Sequence, residues 1–89
     1  MAANQYTVTF TSSAKRDLKK IAKHDRKLAA DLLDFAEDLG DNPRPHGCTK
    51  LTDRDGYRIR FGDFRILYLV LDKEVQVHVF RVGNRKEVY

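Results

Sequence analysis

Hydrophobic and polar positions alternate in QYTVTF, residues 5–10, putting Tyr6, Val8 and Phe10 on one side of a half-buried strand. The period then changes. TSSAKRDL supplies hydroxyls for a helix N-cap at Thr11, Ser12 or Ser13 and an acid, Asp17, in the first turn or so. Leu18, Ile21 and Ala22 give this helix its apolar stripe, and a break near His24 and Asp25 leads to a second helix with Leu28, Leu32, Phe35, Ala36 and Leu39 at helical spacing. Gly40 ends it, and DNPRPHG is irregular because Pro43 and Pro45 cannot continue a helix. From Gly56 the period is two again, predicting strands at about 56–61, 64–71 and 74–82. The expected order is β-α-α-β-β-β over a single domain, residues 1–89. It is an α+β fold with a two-helix hairpin packed on one face of an antiparallel sheet.

Turn chemistry then predicts register. Gly62-Asp63 as a two-residue loop with Gly first suits a type II′ turn and sets Phe61 opposite Phe64, Arg60 opposite Arg65 and Arg58 opposite Leu67. Tyr57, Ile59, Phe61, Phe64, Ile66 and Tyr68 then share an apolar face, with the arginines on the other. A second two-residue turn at Asp72-Lys73 sets Arg65 opposite Phe80, Leu67 opposite His78 and Leu69 opposite Gln76, and adds Val75, Val77 and Val79 to the apolar face. The predicted free face carries Arg58, Arg60, Arg65, Gln76, His78 and Phe80. Like charges placed opposite one another repel, so the arginines suggest an anion site. A surface salt network with Asp53, Asp55 or Asp63 is the plainer alternative.

Composition narrows the function. With 17 Lys+Arg against 13 Asp+Glu in 89 residues, the net charge of +4 favours polyanionic partners. Four tyrosines, five phenylalanines and regular apolar spacing argue against disorder. The basic residues are also sorted by type. Residues 15–27 hold five lysines and two arginines, whereas after Lys50 there are six arginines and two lysines. Arginine offers a rigid fork for bidentate phosphate contact and lysine a hydrated point charge, so the sheet is read as a precise anion binder and the helix as a diffuse one. The lysines also fit an ordinary solvated face. The single Cys48 cannot close an internal disulfide, which fits a reducing cytoplasm. No signal peptide or membrane-length apolar run is visible, and His24, His46 and His78 lack metal-ligand spacing. No Gly-rich cofactor loop is present either, so no metal or cofactor is expected.

The segment KLTDRDGYRIRFGDFRILYLVLDKEVQVHVFRVGNRKEVY, residues 50–89, resembles the signature region of the RelE/ParE toxin superfamily. The resemblance lies in a Lys-Leu before the sheet, a Gly-Tyr-Arg-Ile-Arg strand, a Gly-Asp-Phe-Arg turn and a final Val-Gly-Asn-Arg-Lys-Glu-Val-Tyr. It implies a RelE-like toxin: a ribosome-dependent mRNA endonuclease using 2′-OH attack on the adjacent phosphate, without metal, and silenced by a cognate antitoxin. A monomeric toxin joining a hetero-oligomer with that antitoxin, with no membrane partner, is the implied assembly. The implied catalytic group is Arg58, Arg60, Arg65, Arg85 and Tyr89; Lys50, Arg54, Phe80 and Asn84 in the same segment are expected RNA contacts, and the lysine-rich helix adds Lys19, Lys20 and Lys23 as expected RNA contacts by its charge. Arg58 and Arg60 stand where relatives often carry lysine, and Asn84 where many carry histidine. A guanidinium cannot serve as a base near neutral pH, which leaves Tyr89, His46, His78 or a ribosomal group to move the proton. Other branches of the superfamily poison DNA gyrase, and a catalytically silent RNA- or protein-binding domain is a further alternative.

Overall fold

The computed structural model describes residues 5–84. Strand β1 (Thr7–Phe10) leads into helix α1 (Ser12–His24), started by the Thr11 side chain accepting from the Ala14 N–H at 3.2 Å. Asp25 ends α1 in extended conformation and caps the next helix, α2 (Arg26–Glu37), by accepting from the Leu28 N–H at 3.0 Å. A 3₁₀ turn, Asp38–Gly40, closes the hairpin.

Four strands follow: β2 (Thr49–Lys50), β3 (Tyr57–Phe61), β4 (Phe64–Leu71) and β5 (Gln76–Asn84). The short β2 follows the DNPRPHG connection, in a stretch to which the sequence reading assigns no element. Spatial order is β1-β5-β4-β3-β2, with β1 parallel to β5 and every other pair antiparallel. The sheet is therefore mixed rather than antiparallel. The two helices carry the chain from β1 to the opposite edge of the sheet, so β1 enters beside β5 in the same direction.

Both helices bury their stripes on one sheet face. Ala14, Leu32, Ala36 and Leu39 meet Ile59, Ile66, Tyr68, Val77, Val79 and Val82 in one cluster, and Phe35 rests on Phe61 with ring centroids 5.1 Å apart. Tyr68 is fully buried, yet its hydroxyl donates to the Pro43 carbonyl at 2.7 Å, tying the proline-containing connection to the sheet.

The β3-β4 register matches the sequence expectation residue for residue, and Gly62 has φ +61 as the turn requires. The β4-β5 register does not. The loop is four residues, 72–75, so Leu69 faces His78 and Leu71 faces Gln76. Neither Asp72 nor Lys73 takes the positive φ that a two-residue hairpin turn needs; Val75 does instead, at φ 55. Its carbonyl accepts from the Thr7 N–H at 3.0 Å and its N–H donates to Asp72 at 3.1 Å, which holds this β-branched residue in a disfavoured conformation. Val75 is 44% exposed and does not join the apolar face. A bulge between Leu67 and Tyr68 then leaves Phe80 without a cross-strand partner and sets Leu67 opposite Arg81, Ile66 opposite Val82 and Arg65 opposite Gly83.

Candidate nucleic-acid interface

The sheet face turned away from the helices carries two rows of side chains across β3, β4 and β5. One is Arg58, Leu67, Arg81; the other is Arg60, Arg65, Gly83. Arg60 is exposed and Arg58, Arg65 and Arg81 are half-buried. Leu67, between Arg58 and Arg81, is only 4% exposed despite lying on this face. Long arginine stems can cover an apolar neighbour while the charged heads stay in water. Arg81 owes its place here to the bulge, because the extra residue puts Phe80 and Arg81 consecutively on the same side.

Arg81 is also a residue to which the sequence alone assigns no role. Its Nε donates to Asp17 Oδ2 at 3.0 Å, and the Val82 N–H donates to the same oxygen at 2.9 Å. Asp17 lies in the second turn of α1 rather than the first, and satisfies the β5 edge past the point where β1 pairing stops at Val79.

The remaining sequence-derived candidates fall in several places. Phe80 is half-buried and its ring is already covered by Arg54, whose guanidinium carbon lies 4.5 Å from the ring centroid. Gly56, at φ +126, permits this fold-back: a Cβ there would lie 2.9 Å from the Tyr68 carbonyl oxygen and 3.4 Å from the Phe80 ring. Asn84 pairs with Phe64 and Lys50 with Tyr57, so register sets both on the side of the apolar residues rather than with the arginines. Lys19, Lys20 and Lys23 are exposed on α1, and Lys20 borders the same shallow depression as Asp17, Ile21, Arg81 and Val82. Arg85 and Tyr89 lie outside the described residues. His78 Nε2 is 2.7 Å from Gln76 Oε1, whereas His46 is exposed on the connecting loop.

A second polar cluster stands where the loop after β4 meets the start of β1. Arg44 Nη1 and Nη2 donate to the two Asp72 oxygens at 3.3 and 2.8 Å, the Tyr6 hydroxyl donates to Asp72 Oδ1 at 2.7 Å, and Arg44 Nε donates to the Tyr57 hydroxyl at 2.9 Å. The bonds from Arg44 and Tyr6 hold the Asp72 carboxyl below the ordinary carboxylate range, while the bond to Asp72 raises the Tyr6 phenol. Burial, with Cys48 alongside, pushes Tyr68 up. These groups anchor loops. Chemically, the arginine face can bind phosphates and spread negative charge, but its guanidiniums cannot exchange a proton near neutral pH.

Among the described residues, no helix is long and apolar enough to cross a membrane, and no group of three or more His, Cys, Asp or Glu stands close enough to hold a metal ion.

Comparison with known proteins fits this architecture. The chain is 34% identical to toxin RelG of Mycobacterium tuberculosis (strain ATCC 25618 / H37Rv) over 86 residues, which is 94% of this chain and 95% of the relative. It is 30% identical to toxin RelE of the same organism over 86 residues, covering 94% of this chain and 86% of the relative. Among solved structures it is similar to the toxin–antitoxin complex RelBE2 from Mycobacterium tuberculosis, with TM-score 0.78 and 32% identity over 91% of this chain and 99% of the other. The family model described as ParE toxin of type II toxin-antitoxin system, parDE, matches residues 8–89. A five-stranded mixed sheet under a helical hairpin, a family match over nearly the whole length and relatives named as toxins make this chain a member of the ParE toxin family of type II toxin–antitoxin systems, within the RelE/ParE superfamily.

Proposed function

We propose that this toxin is a ribosome-dependent mRNA endonuclease. The observation that carries the reading is the pair of cross-strand rows that set Arg58, Arg60, Arg65 and Arg81 on the one sheet face the helices leave bare. Arg60 and Arg65 stand directly opposite one another, a like-charge pairing that disfavours the sheet and serves an anion. In the reaction the 2′-OH of one nucleotide attacks the adjacent phosphorus while the bond to the 5′ oxygen of the next breaks. The products are a 2′,3′-cyclic phosphate and a 5′-OH. One proton leaves the 2′ oxygen and one reaches the 5′ oxygen, and negative charge grows on the phosphoryl oxygens between.

Arg58, Arg60, Arg65 and Arg85 supply the charge sink, a role worth about 2.7–4 kcal/mol for one well-placed donor. Tyr89 is assigned the proton transfer, because the guanidiniums cannot exchange a proton near neutral pH. Lys19, Lys20 and Lys23 on α1 add contacts to RNA backbone, and the Arg54 guanidinium lying over the Phe80 ring gives a base a surface to stack on. The relatives solved as toxin–antitoxin complexes support a cognate antitoxin as the protein partner, and the chemistry belongs in the cytoplasm, where ribosomes are.

Purified toxin added to a translation reaction, with the message read by primer extension, is expected to give codon-phased cuts. Trapped gyrase–DNA in a parallel supercoiling reaction, with the message intact, would assign the chain to the gyrase-poisoning branch instead. That branch is the specific rival because the matching family model is named for ParE.

A further inference from the structure

The shallow depression where α1 meets the last half of β5 is lined by Asp17, Lys20, Ile21, Arg81 and Val82. We propose that it is a phosphodiester-binding subsite for RNA, in which Arg81 and Lys20 take the phosphate and Asp17 is the positioning residue that aims Arg81. The proposal rests on the RNA reading above and extends it along the sheet to the helix.

Three observations meet there. First, the bulge at Leu67/Tyr68 is what brings Arg81 opposite Leu67, in line with Arg58. Bulges are enriched beside functional sites because they re-aim side chains. Second, Asp17 grips Arg81 by Nε, the inner nitrogen of the guanidinium, at 3.0 Å. The contact with Asp17 uses Nε, and the two terminal Nη groups are the prongs with which arginine takes a phosphate in bidentate fashion. Third, Lys20 is three residues beyond Asp17, hence on the same stripe of α1, and it borders the same depression.

A purely structural account of Asp17 is incomplete. The Val82 N–H needs an acceptor because β1 no longer pairs there, but a hydroxyl or an amide oxygen would satisfy it. Asp17 spends the same oxygen on Arg81, and this part-buried, charge-assisted bond fixes the direction of the guanidinium as well as holding α1 to β5. The Asp17 charge cancels one of the two cations, leaving one positive charge in excess at the depression.

The test is binding of the full chain to 70S ribosomes, either programmed with a message carrying a 2′-O-methyl at the cut site or left unprogrammed, across a salt series. Arg81→Met and Lys20→Met are each expected to reduce the slope of log Kd against log salt by about 0.7–0.9, the loss of one phosphate contact. A loss seen only on programmed ribosomes assigns the phosphate to the message, and an equal loss on both assigns it to ribosomal RNA. Asp17→Asn keeps an oxygen for the Val82 N–H and raises net charge by one. Diffuse electrostatics alone predicts tighter binding, whereas loss of aim predicts roughly three- to tenfold weaker binding, one hydrogen bond's worth. Wild-type slopes for Arg81→Met and Lys20→Met, or tighter binding by Asp17→Asn, overturn the subsite. Should Asp17→Asn not fold, the other two variants decide. Cleavage of an unmodified message by the wild type, run in parallel, is a separate readout: a lost slope without cleavage keeps the subsite and removes the nuclease reading.

Discussion

Arg60 and Arg65 face one another directly across β3 and β4, with Gly83 completing the row on β5. Opposed like charges destabilise a sheet by an amount within the roughly 0.2–1 kcal/mol scale of cross-strand pairs, and a domain of this size shifts its Tm by about 4–8 °C per kcal/mol. Arg60→Ala is therefore expected to raise Tm by about one to several degrees while abolishing growth arrest on expression. Stability gained as activity is lost marks a functional site rather than a structural one. A lower Tm in calorimetry would place Arg60 in a stabilising ion-pair network and count against the anion site.

Tyr68→Phe tests the tie between the sheet and the proline-containing connection. The ring is fully buried and its hydroxyl is the donor to the Pro43 carbonyl at 2.7 Å. Removing that donor from a half-buried acceptor costs about 0.5–1.5 kcal/mol, so a Tm lower by about 2 °C or more is expected. Limited proteolysis should also open the chain around residues 41–48 first. An unchanged melt would show that water replaces the hydroxyl without loss.

How much of this was legible in the sequence follows from the distance over which each feature is encoded. The Gly62-Asp63 hairpin is local: two turn residues set the register of Arg58, Arg60 and Arg65, and the structure reproduces it. The helix caps at Thr11 and Asp25 are likewise written within a few residues of where they act. The β4-β5 register needed the conformation of Val75, whose carbonyl is fixed by Thr7 on a strand from the other end of the chain. The Asp17 contacts to Arg81 and Val82 span 64 and 65 residues, and no periodicity carries that information. A signal did exist for the bulge. In VQVHVFRV the alternation of apolar and polar positions slips at Phe80-Arg81, which is the mark of an inserted residue. The parallel placement of β1 follows from the two-helix crossover, which shifts the first strand away from its sequence neighbours.

Gly56→Ala examines the fold-back of the loop that carries Arg54 over Phe80. At φ +126 a side chain is strained, and the added Cβ would lie 2.9 Å from the Tyr68 carbonyl oxygen, a backbone atom with no freedom to swing away. The expected penalty is about 1–3 kcal/mol, read as a lower Tm. Gly62→Ala provides the control: its φ of +61 is also left-handed, but nothing lies within 4 Å of the added atom. Gly56→Ala should therefore be the more damaging of the two. Equal losses would mean that backbone conformation alone, and not the contact with β4, accounts for the requirement at Gly56.

The cluster of Tyr6, Arg44 and Asp72 predicts a pH dependence with two windows. Asp72 is held below its ordinary carboxyl range, by Arg44 first and Tyr6 next. Its contribution is therefore fully present above the unfolded pKa of about 3.9 and is lost as pH falls through the lower folded value. Tyr6 is raised, chiefly by its bond to Asp72. Its contribution is present below the unfolded value of about 10 and is lost as pH rises through the folded one. Asp72→Asn should accordingly melt below the wild type by a constant margin between about pH 5 and 9, and the two curves should converge at lower pH as the wild-type carboxyl protonates. Tyr6→Phe should show a deficit over the same middle range that narrows above about pH 10, where the wild-type phenol ionises beside Asp72. The margin should be modest, since the Arg44 and Asp72 side chains are 43% and 56% exposed, and smaller still at high salt. An Asp72→Asn deficit that persists undiminished at the acid limit would show that shape, and not the charge of the carboxylate, is what Arg44 and Tyr6 require.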